Sequence, residues 1–452
     1  MNLGEELISA FGNGRMTGVN PAVYLDDYRK RLSRLGPQVL SKEVLICERD
    51  PARFLAALAV ALAERARIFL GNPGWGEEEW GQAGAYVRPQ SVFGSALLKA
   101  SQDGSSPRQT EGPIIAIPTG GTGGRVRFAS HTEATLRAAA QGFVQHFGGG
   151  PIDSWSGLPC FHVSGLMPVI RGVQSGGTFN WASELDPARV PRDGGTTTVL
   201  SLVPTQLARL MKQAGMSELL RRFSIILVGG AALSGTLRNH AREAGLPLAP
   251  SYGMTETAAA ICLVRPSEFL AGDDSSGKPL PQVRIQVEGA ASQSGSEGRL
   301  LVETPTLFRG YCSESAPPPS PWPTEDTGYL DAAGRLFVTG RIRATINTGG
   351  EKVDPQEVEK VLVAMGLAEE AHVFGIPNRE WGELVAAVYV PAASEFKEYR
   401  NFRELMKKKL AGHKIPKHWI SVTEIPRNSR GKPDPGLIHE LVERNKGMIS
   451  DQ

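Results

Sequence analysis

Cysteine is scarce: Cys47, Cys160, Cys262 and Cys312 are the four in 452 residues, and no two form a CxxC pair. That argues against a zinc site or a disulfide framework and fits a reducing cytosol. An excess of either charge is lacking too. A net charge of +2 is too close to neutral for wholesale nucleic-acid binding. No run approaches the roughly 18 apolar residues needed to span a bilayer. The opening MNLGEELISAFGNGR carries acids early and has no apolar core of signal-peptide length. The expectation is a soluble cytoplasmic protein with no nucleic-acid partner and no membrane span.

Glycine and proline, at 52 and 32, are by contrast abundant, which implies many turns and loops that approach ligands closely. The length exceeds what one core usually serves, so two or more domains are expected. Apolar residues at helical spacing predict a helix over residues 51–66, and residues 103–111 read as an exposed loop. A short apolar strand, residues 113–118, runs into a glycine cluster. Strand-then-helix units follow, with strands at 198–203 and 224–228 and a helix at 205–214. Alternation of this kind implies parallel sheet covered by helices. From about Gly295 short strands, such as 299–303 and 335–339, are separated by turns, as in a β-rich subdomain, and residues 316–323 read as an extended surface loop. A boundary near 342 divides a large N-terminal domain, 1–342, from a small α+β domain, 343–452. In the latter Asp354-Pro355-Gln356-Glu357 predicts a helix start with Asp354 as N-cap and Glu357 completing a capping box. Strands at 384–390 and 419–422 and a basic helix at 396–410 follow.

Three clusters carry chemistry. Thr119-Gly120-Gly121-Thr122-Gly123-Gly124-Arg125-Val126-Arg127 offers backbone N–H groups, hydroxyls and cations suited to phosphate oxygens, without the ending of a Walker A loop. Ser251-Tyr252-Gly253-Met254-Thr255-Glu256-Thr257 combines a ring, hydroxyls and one carboxylate in a glycine-broken loop, fit for a base, a phosphate and Mg²⁺. Asp326-Thr327-Gly328-Tyr329, followed by Gly340-Arg341, supplies an acid for ribose hydroxyls and a cation. Singly, the first is only suggestive, with a plain glycine-rich turn as its alternative, and each of the other two is better explained by a turn with a surface ion pair.

In this order they resemble the adenylate-forming superfamily of acyl-CoA synthetases, nonribosomal peptide adenylation domains and firefly-type luciferases. YGMTET (252–257), DTGYLDAAGRLFVTGR (326–341), GGEKVDPQEVE (349–359) and PRNSRGK (426–432) carry the match. The resemblance implies ATP, Mg²⁺ and coenzyme A as reactants, and a hinged, mobile small domain. It places the 119–127 loop, ending in Arg127, on the β- and γ-phosphates. Gly230, Ala231, Ala232, Tyr252 and Gly253 fall around the adenine, Thr255 on the α-phosphate and Glu256 on Mg²⁺. Asp326 and Arg341 fall on the ribose, Gly349 and Gly350 along the pantetheine tunnel, and Lys432 between carboxylate and α-phosphate during adenylation. The chain departs from the family in Val126-Arg127, where Pro-Lys is usual, in Arg343-Ala344 at the hinge, and in Pro435.

Residues 159–166, PCFHVSGL, resemble the superfamily's acyl-pocket motif, which puts His162 beside the acyl pocket and thiol entry. Nine residues on, among apolar neighbours, sits Arg171, a cation that is costly there without a partner. A second substrate carboxylate would be such a partner; a residue snorkelling to the surface is the plainer explanation. His162, Arg171 and the PTGGTGGRVRF loop together are similar to the o-succinylbenzoate–CoA ligases of menaquinone or phylloquinone synthesis. A CoA ligase for another aryl or alkyl acid, and a carrier-loading adenylation protein, stay open as alternatives.

Overall fold

The computed structural model describes the chain except residues 35–41, 99–113, 121–125, 191–194, 232, 234, 290–294, 315, 342–344, 393–398, 427–432, 434 and 446–452. Two compact units emerge. The first comprises Met1–Pro73, Ala83–Thr119 and Arg127–Ile342; the second comprises Gly74–Gln82, Gly120–Val126 and Arg343–Gln452.

The first unit is α/β. Strand Ile225–Val228, all apolar and with Leu227 alone less than fully buried, lies in an eight-stranded sheet between Thr197–Leu202 and Leu248–Met254. All three run parallel, and the sheet turns antiparallel only at Ala259–Leu263. A second sheet of five strands is parallel through Ser91–Gly94, Glu43–Cys47, Arg67–Leu70 and Ile115–Gly120, with Val126–His131 next to the last. Helix Pro51–Ala63 covers it, started by Asp50 accepting from the Arg53 N–H, with Pro51 where no intrahelical donor is needed. Its Phe54, Leu55, Leu58 and Leu62 are buried, as their spacing predicts. Arg284–Val287, Gly298–Glu303, Trp322–Leu330 and Leu336–Arg341 form an antiparallel meander, the expected β-rich part. The 316–323 stretch is not loop throughout, since a strand starts at Trp322. The 103–111 segment lies outside the described residues. No described helix is long and apolar enough to cross a membrane.

The second unit is α+β. Strands Ala368–Asn378 and Gly382–Pro391 form a long hairpin, joined by Ile346–Thr348, Glu351–Val353 and His418–Ser421. Helix Pro355–Ala364 begins at Asp354, whose side chain accepts from the Gln356 N–H. Glu357 does not close a capping box. Its carboxylate instead accepts from Lys414 Nζ at 2.8 Å, and the same ammonium lies 3.1 Å from Glu79. Glu79 also accepts from the Gly76 and Ala411 N–H groups, each at 2.8 Å. One buried cation thus faces two carboxylates.

Burial pushes the Glu357 carboxyl up to about 7 against the pull of Lys414. The folded value lies above the ordinary 4.5, so between them the native state holds a proton that the unfolded chain has released. Stability therefore falls as pH rises through that window. Relative to Glu357→Gln, the wild type should lose about 2–3 kcal/mol between pH 5 and pH 8. Denaturant melts of both proteins at the two pH values check this; parallel profiles would take Glu357 out of the account.

Candidate active site

Ligands in open α/β sheets bind beyond the carboxyl ends of the strands, and the candidate residues gather there. Strand Ile225–Val228 ends in Gly229-Gly230. Gly230 adopts φ +84°, which favours glycine, and a Cβ on Gly229 would lie 2.5 Å from Ser251 Oγ, a side chain that would have to turn away. Ala231 follows, and Ala232 is outside the described residues.

Tyr252, on the neighbouring strand, is buried, and its hydroxyl donates to Asp326 Oδ2 at 2.9 Å. Burial and the Asp326 charge hold this phenol well above its ordinary value, so it stays a donor. Asp326 stands directly opposite Arg341 in the antiparallel register of the meander. One hydrogen bond therefore ties strand Leu248–Met254 to strand Trp322–Leu330.

Past Tyr252 the backbone is bent hard. A register irregularity falls between Tyr252 and Gly253, and a Cβ on Gly253 would meet Ala259 O at 2.0 Å. Thr255–Thr257 form a single 3₁₀ turn, and Ala258 and Ala259 follow at φ +53° and +82°. Non-glycine residues there cost of order 1 kcal/mol or more each, so the surroundings must hold the turn. His131 Nε2 lies 2.7 Å from Thr255 O, and since a carbonyl only accepts, Nε2 carries the proton. Burial pushes this imidazole down to about 4, which keeps it neutral. The Phe308 N–H donates to Glu256 O at 2.8 Å.

The Glu256 side chain is held as well. Tyr311 Oη donates to its Oε1 at 2.6 Å, and the Arg127 guanidinium lies 4.0 Å from the centroid of the Tyr311 ring. Residues 309–312 reach that place by pairing with strand Val126–His131. Arg309 N–H donates to Ser130 O, Ser130 N–H to Gly310 O, and Cys312 N–H to Phe128 O. No described residue donates to the second Glu256 oxygen, a hard donor suited to Mg²⁺. Among the described residues no group of three or more His, Cys, Asp or Glu is arranged to hold a metal ion. A single carboxylate fits a Mg²⁺ that takes most of its ligands from nucleotide phosphates and water.

His162 is the N-cap of helix Val163–Gln174, its carbonyl accepting from Gly165 and Leu166. Arg171 does not snorkel to the surface: only 4% of it is exposed. Its guanidinium lies 3.9 Å from the Phe143 ring centroid and donates to Ser201 Oγ at 3.2 Å. Its buried Nε meets no acceptor, and no carboxylate pairs with it among the described residues. Burial alone pushes it down to about 9, which leaves it a cation at neutral pH. His162 is not among its described contacts.

Thr119 and Gly120 close strand Ile115–Gly120, and residues 121–125 and Lys432 lie outside the described residues. Gly349 and Gly350, at φ +63° and +89°, turn the hairpin between Ile346–Thr348 and Glu351–Val353 in the second unit. A cavity of about 500 Å³, lined in part by His146, Thr197, Ser224 and Arg265, sits at the opposite ends of the strands, away from this chemistry. Sequence reasoning missed His131 and Tyr311. Nothing local marks either, because each acts on a residue distant in the chain.

The AMP-binding enzyme family matches residues 14–312, and the AMP-binding enzyme C-terminal domain matches residues 357–432. A 2-succinylbenzoate–CoA ligase of Geobacillus sp. (strain WCH70) is 30% identical over 338 residues, covering 73% of this chain and 69% of that protein. A double mutant of o-succinylbenzoate CoA synthetase from Bacillus subtilis, bound with its product analogue, superposes with TM-score 0.77 at 24% identity over 93% of each chain. The same synthetase in complex with ATP and magnesium ion gives 0.58 at 25% identity, covering 91% of this chain and 92% of that one.

Proposed function

This chain belongs to the AMP-binding enzyme family, and from that premise we propose that it is an acid–thiol ligase acting on o-succinylbenzoate. The acid's carboxylate attacks the α-phosphorus of ATP and pyrophosphate leaves. The CoA thiol then attacks the acyl carbon of the adenylate and AMP leaves, giving o-succinylbenzoyl-CoA. The observation that supports the reaction class best is the meeting of Tyr252 with Asp326, and of Tyr311 with both Glu256 and Arg127.

These residues divide the work. Gly230, Ala231, Ala232, Tyr252 and Gly253 receive the adenine, and Asp326 with Arg341 the ribose. Thr255 meets the α-phosphate, while Arg127 and the 119–125 loop grip the outgoing phosphates; an arginine keeps the positive charge and adds bidentate geometry. Glu256 holds Mg²⁺, which when bound offsets phosphate charge. Lys432, in the C-terminal domain 343–452, brings a cation to the point where carboxylate and α-phosphate, both anionic, must meet. Lys432 must then withdraw and a thiol enter, which is why that domain is mobile and why His162, Gly349 and Gly350 serve the second step.

The 2-succinylbenzoate–CoA ligases among the relatives support the choice of acid. Arg171 supports it independently, as a buried cation suited to the succinyl carboxylate. Four free thiols favour a cytoplasmic setting. The test is pyrophosphate release and acyl-CoA formation over a panel of aryl, alkyl and dicarboxylic acids, with and without CoA. Turnover should be fastest with o-succinylbenzoate and should need CoA for thioester. A faster uncharged acid would move the substrate assignment, and transfer only to a carrier protein would replace CoA as acceptor.

A further inference from the structure

We infer that Tyr311 is a positioning residue of the adenylation step, one side chain that orients the Glu256 carboxylate through its hydroxyl and seats the Arg127 guanidinium on its ring. The inference rests on the ATP-dependent reading above and adds a residue to it. The contact of 2.6 Å is short, as expected when a hydroxyl donates to an ionised carboxylate. Both partners are nearly out of water, with 6% of Glu256 and 9% of Tyr311 exposed.

The geometry leaves little freedom. Tyr311 follows Gly310 at φ +113°, pairs with Ala129 across an antiparallel bridge, and meets the Phe308 ring edge-on at 4.9 Å. Phe308 in turn binds Glu256 through its backbone, so the 308–311 segment grips this residue at both carbonyl and carboxylate. A glutamate has three rotatable side-chain bonds, and Mg²⁺ demands near-ideal octahedral directions from its ligands. Fixing one carboxylate oxygen aims the other. Arginine is likewise long and mobile, and stacking on an aromatic face restricts it to the side from which it can reach phosphate. Metal side and phosphate side are thereby set from one ring.

Two variants separate the two duties. Tyr311→Phe keeps the ring and its packing and removes only the hydroxyl. By calorimetry without acid, its Kd for MgATP should rise about tenfold or more, as expected for a lost bond to a charged group. Its Kd for ATP in EDTA should stay at the wild-type value. Tyr311→Leu removes the ring as well, and should weaken ATP binding in EDTA too, because Arg127 loses its seat. In a Glu256→Gln background the Tyr311→Phe effect should vanish, the sign that the two side chains act as one. Equal weakening of both forms of ATP by Tyr311→Phe, no weakening at all, or an undiminished effect in the Glu256→Gln background would each overturn the inference. A wild type that neither binds MgATP nor releases pyrophosphate with any acid would instead bring down the reading on which it rests.

Discussion

Replacing Lys432 with alanine should lower ATP-dependent adenylation by roughly two to three orders of magnitude, the usual cost of one lost electrostatic contact to a transition state. Thioester formation from a supplied acyl-adenylate should remain near the wild-type rate. The asymmetry follows from charge. In the first half-reaction a carboxylate approaches a phosphate ester already carrying negative charge, and charge builds on the oxygens that become pyrophosphate. Glu256 and Arg127 both contact Tyr311 within the first unit, and in the proposed reaction Arg127 serves the phosphates that leave, not the carboxylate that arrives. In the second half-reaction the nucleophile is a thiol, the electrophile is a mixed anhydride, and no second anion needs to be brought to phosphorus. Pyrophosphate release in a single turnover measures the first step, and CoA consumption with synthetic o-succinylbenzoyl-adenylate measures the second. Equal loss in both would show that Lys432 serves throughout and would remove the reason for a domain that changes place between steps.

Removing the Arg171 cation should lower kcat/KM for o-succinylbenzoate by roughly ten- to over a hundredfold, the worth of one charge-assisted hydrogen bond of about 1.5–3 kcal/mol in a desolvated place. Arg171→Met, of similar length, is preferred to alanine because the side chain is buried against Phe143 and a large cavity would cost stability on its own. The structure sharpens the expectation. A guanidinium this buried normally faces a carboxylate, whereas the described partners of Arg171 are a hydroxyl and a ring, with Nε unmatched. An incoming succinyl carboxylate would supply what the fold does not. An uncharged benzoate analogue gives Arg171 nothing to bind, so its kcat/KM should change little, or rise as an unpaired charge leaves the pocket. The ratio of the two kcat/KM values in wild type and variant is the measurement. If both fall together, along with the melting temperature, Arg171 is a packing residue of the Phe143–Ser201 layer and selectivity for a second carboxylate lies elsewhere.

The sequence by itself determined a good deal. Strands read at 198–203 and 224–228, alternating with helices, imply parallel sheet, and the parallel strands Thr197–Leu202 and Ile225–Val228 are present. Local chemistry sets the glycines at 230 and 349–350, because a left-handed backbone admits little else. The start of helix Pro355–Ala364 is equally local, with Asp354 and Pro355 adjacent to the groups they serve. Motif order disclosed the family because each motif is a short, contiguous segment.

What the tertiary structure alone decided is which distant side chains meet. Tyr311 and Glu256 are 55 residues apart, Tyr252 and Asp326 are 74, and Glu357 and Lys414 are 57. Nothing in the spacing of apolar residues foretells such meetings. The same holds for burial: Arg171 reads equally well as a surface arginine until the helix face on which it lies is packed against Phe143 and Ser201. Glu357 has the right spacing for a capping box, but a buried ammonium offers a stronger, charged donor than one backbone N–H, and the carboxylate turns to Lys414. Periodicity and caps are properties of a segment and can be read along it. Desolvation and pairing of charges depend on what the rest of the chain brings alongside, and only the packed molecule fixes that.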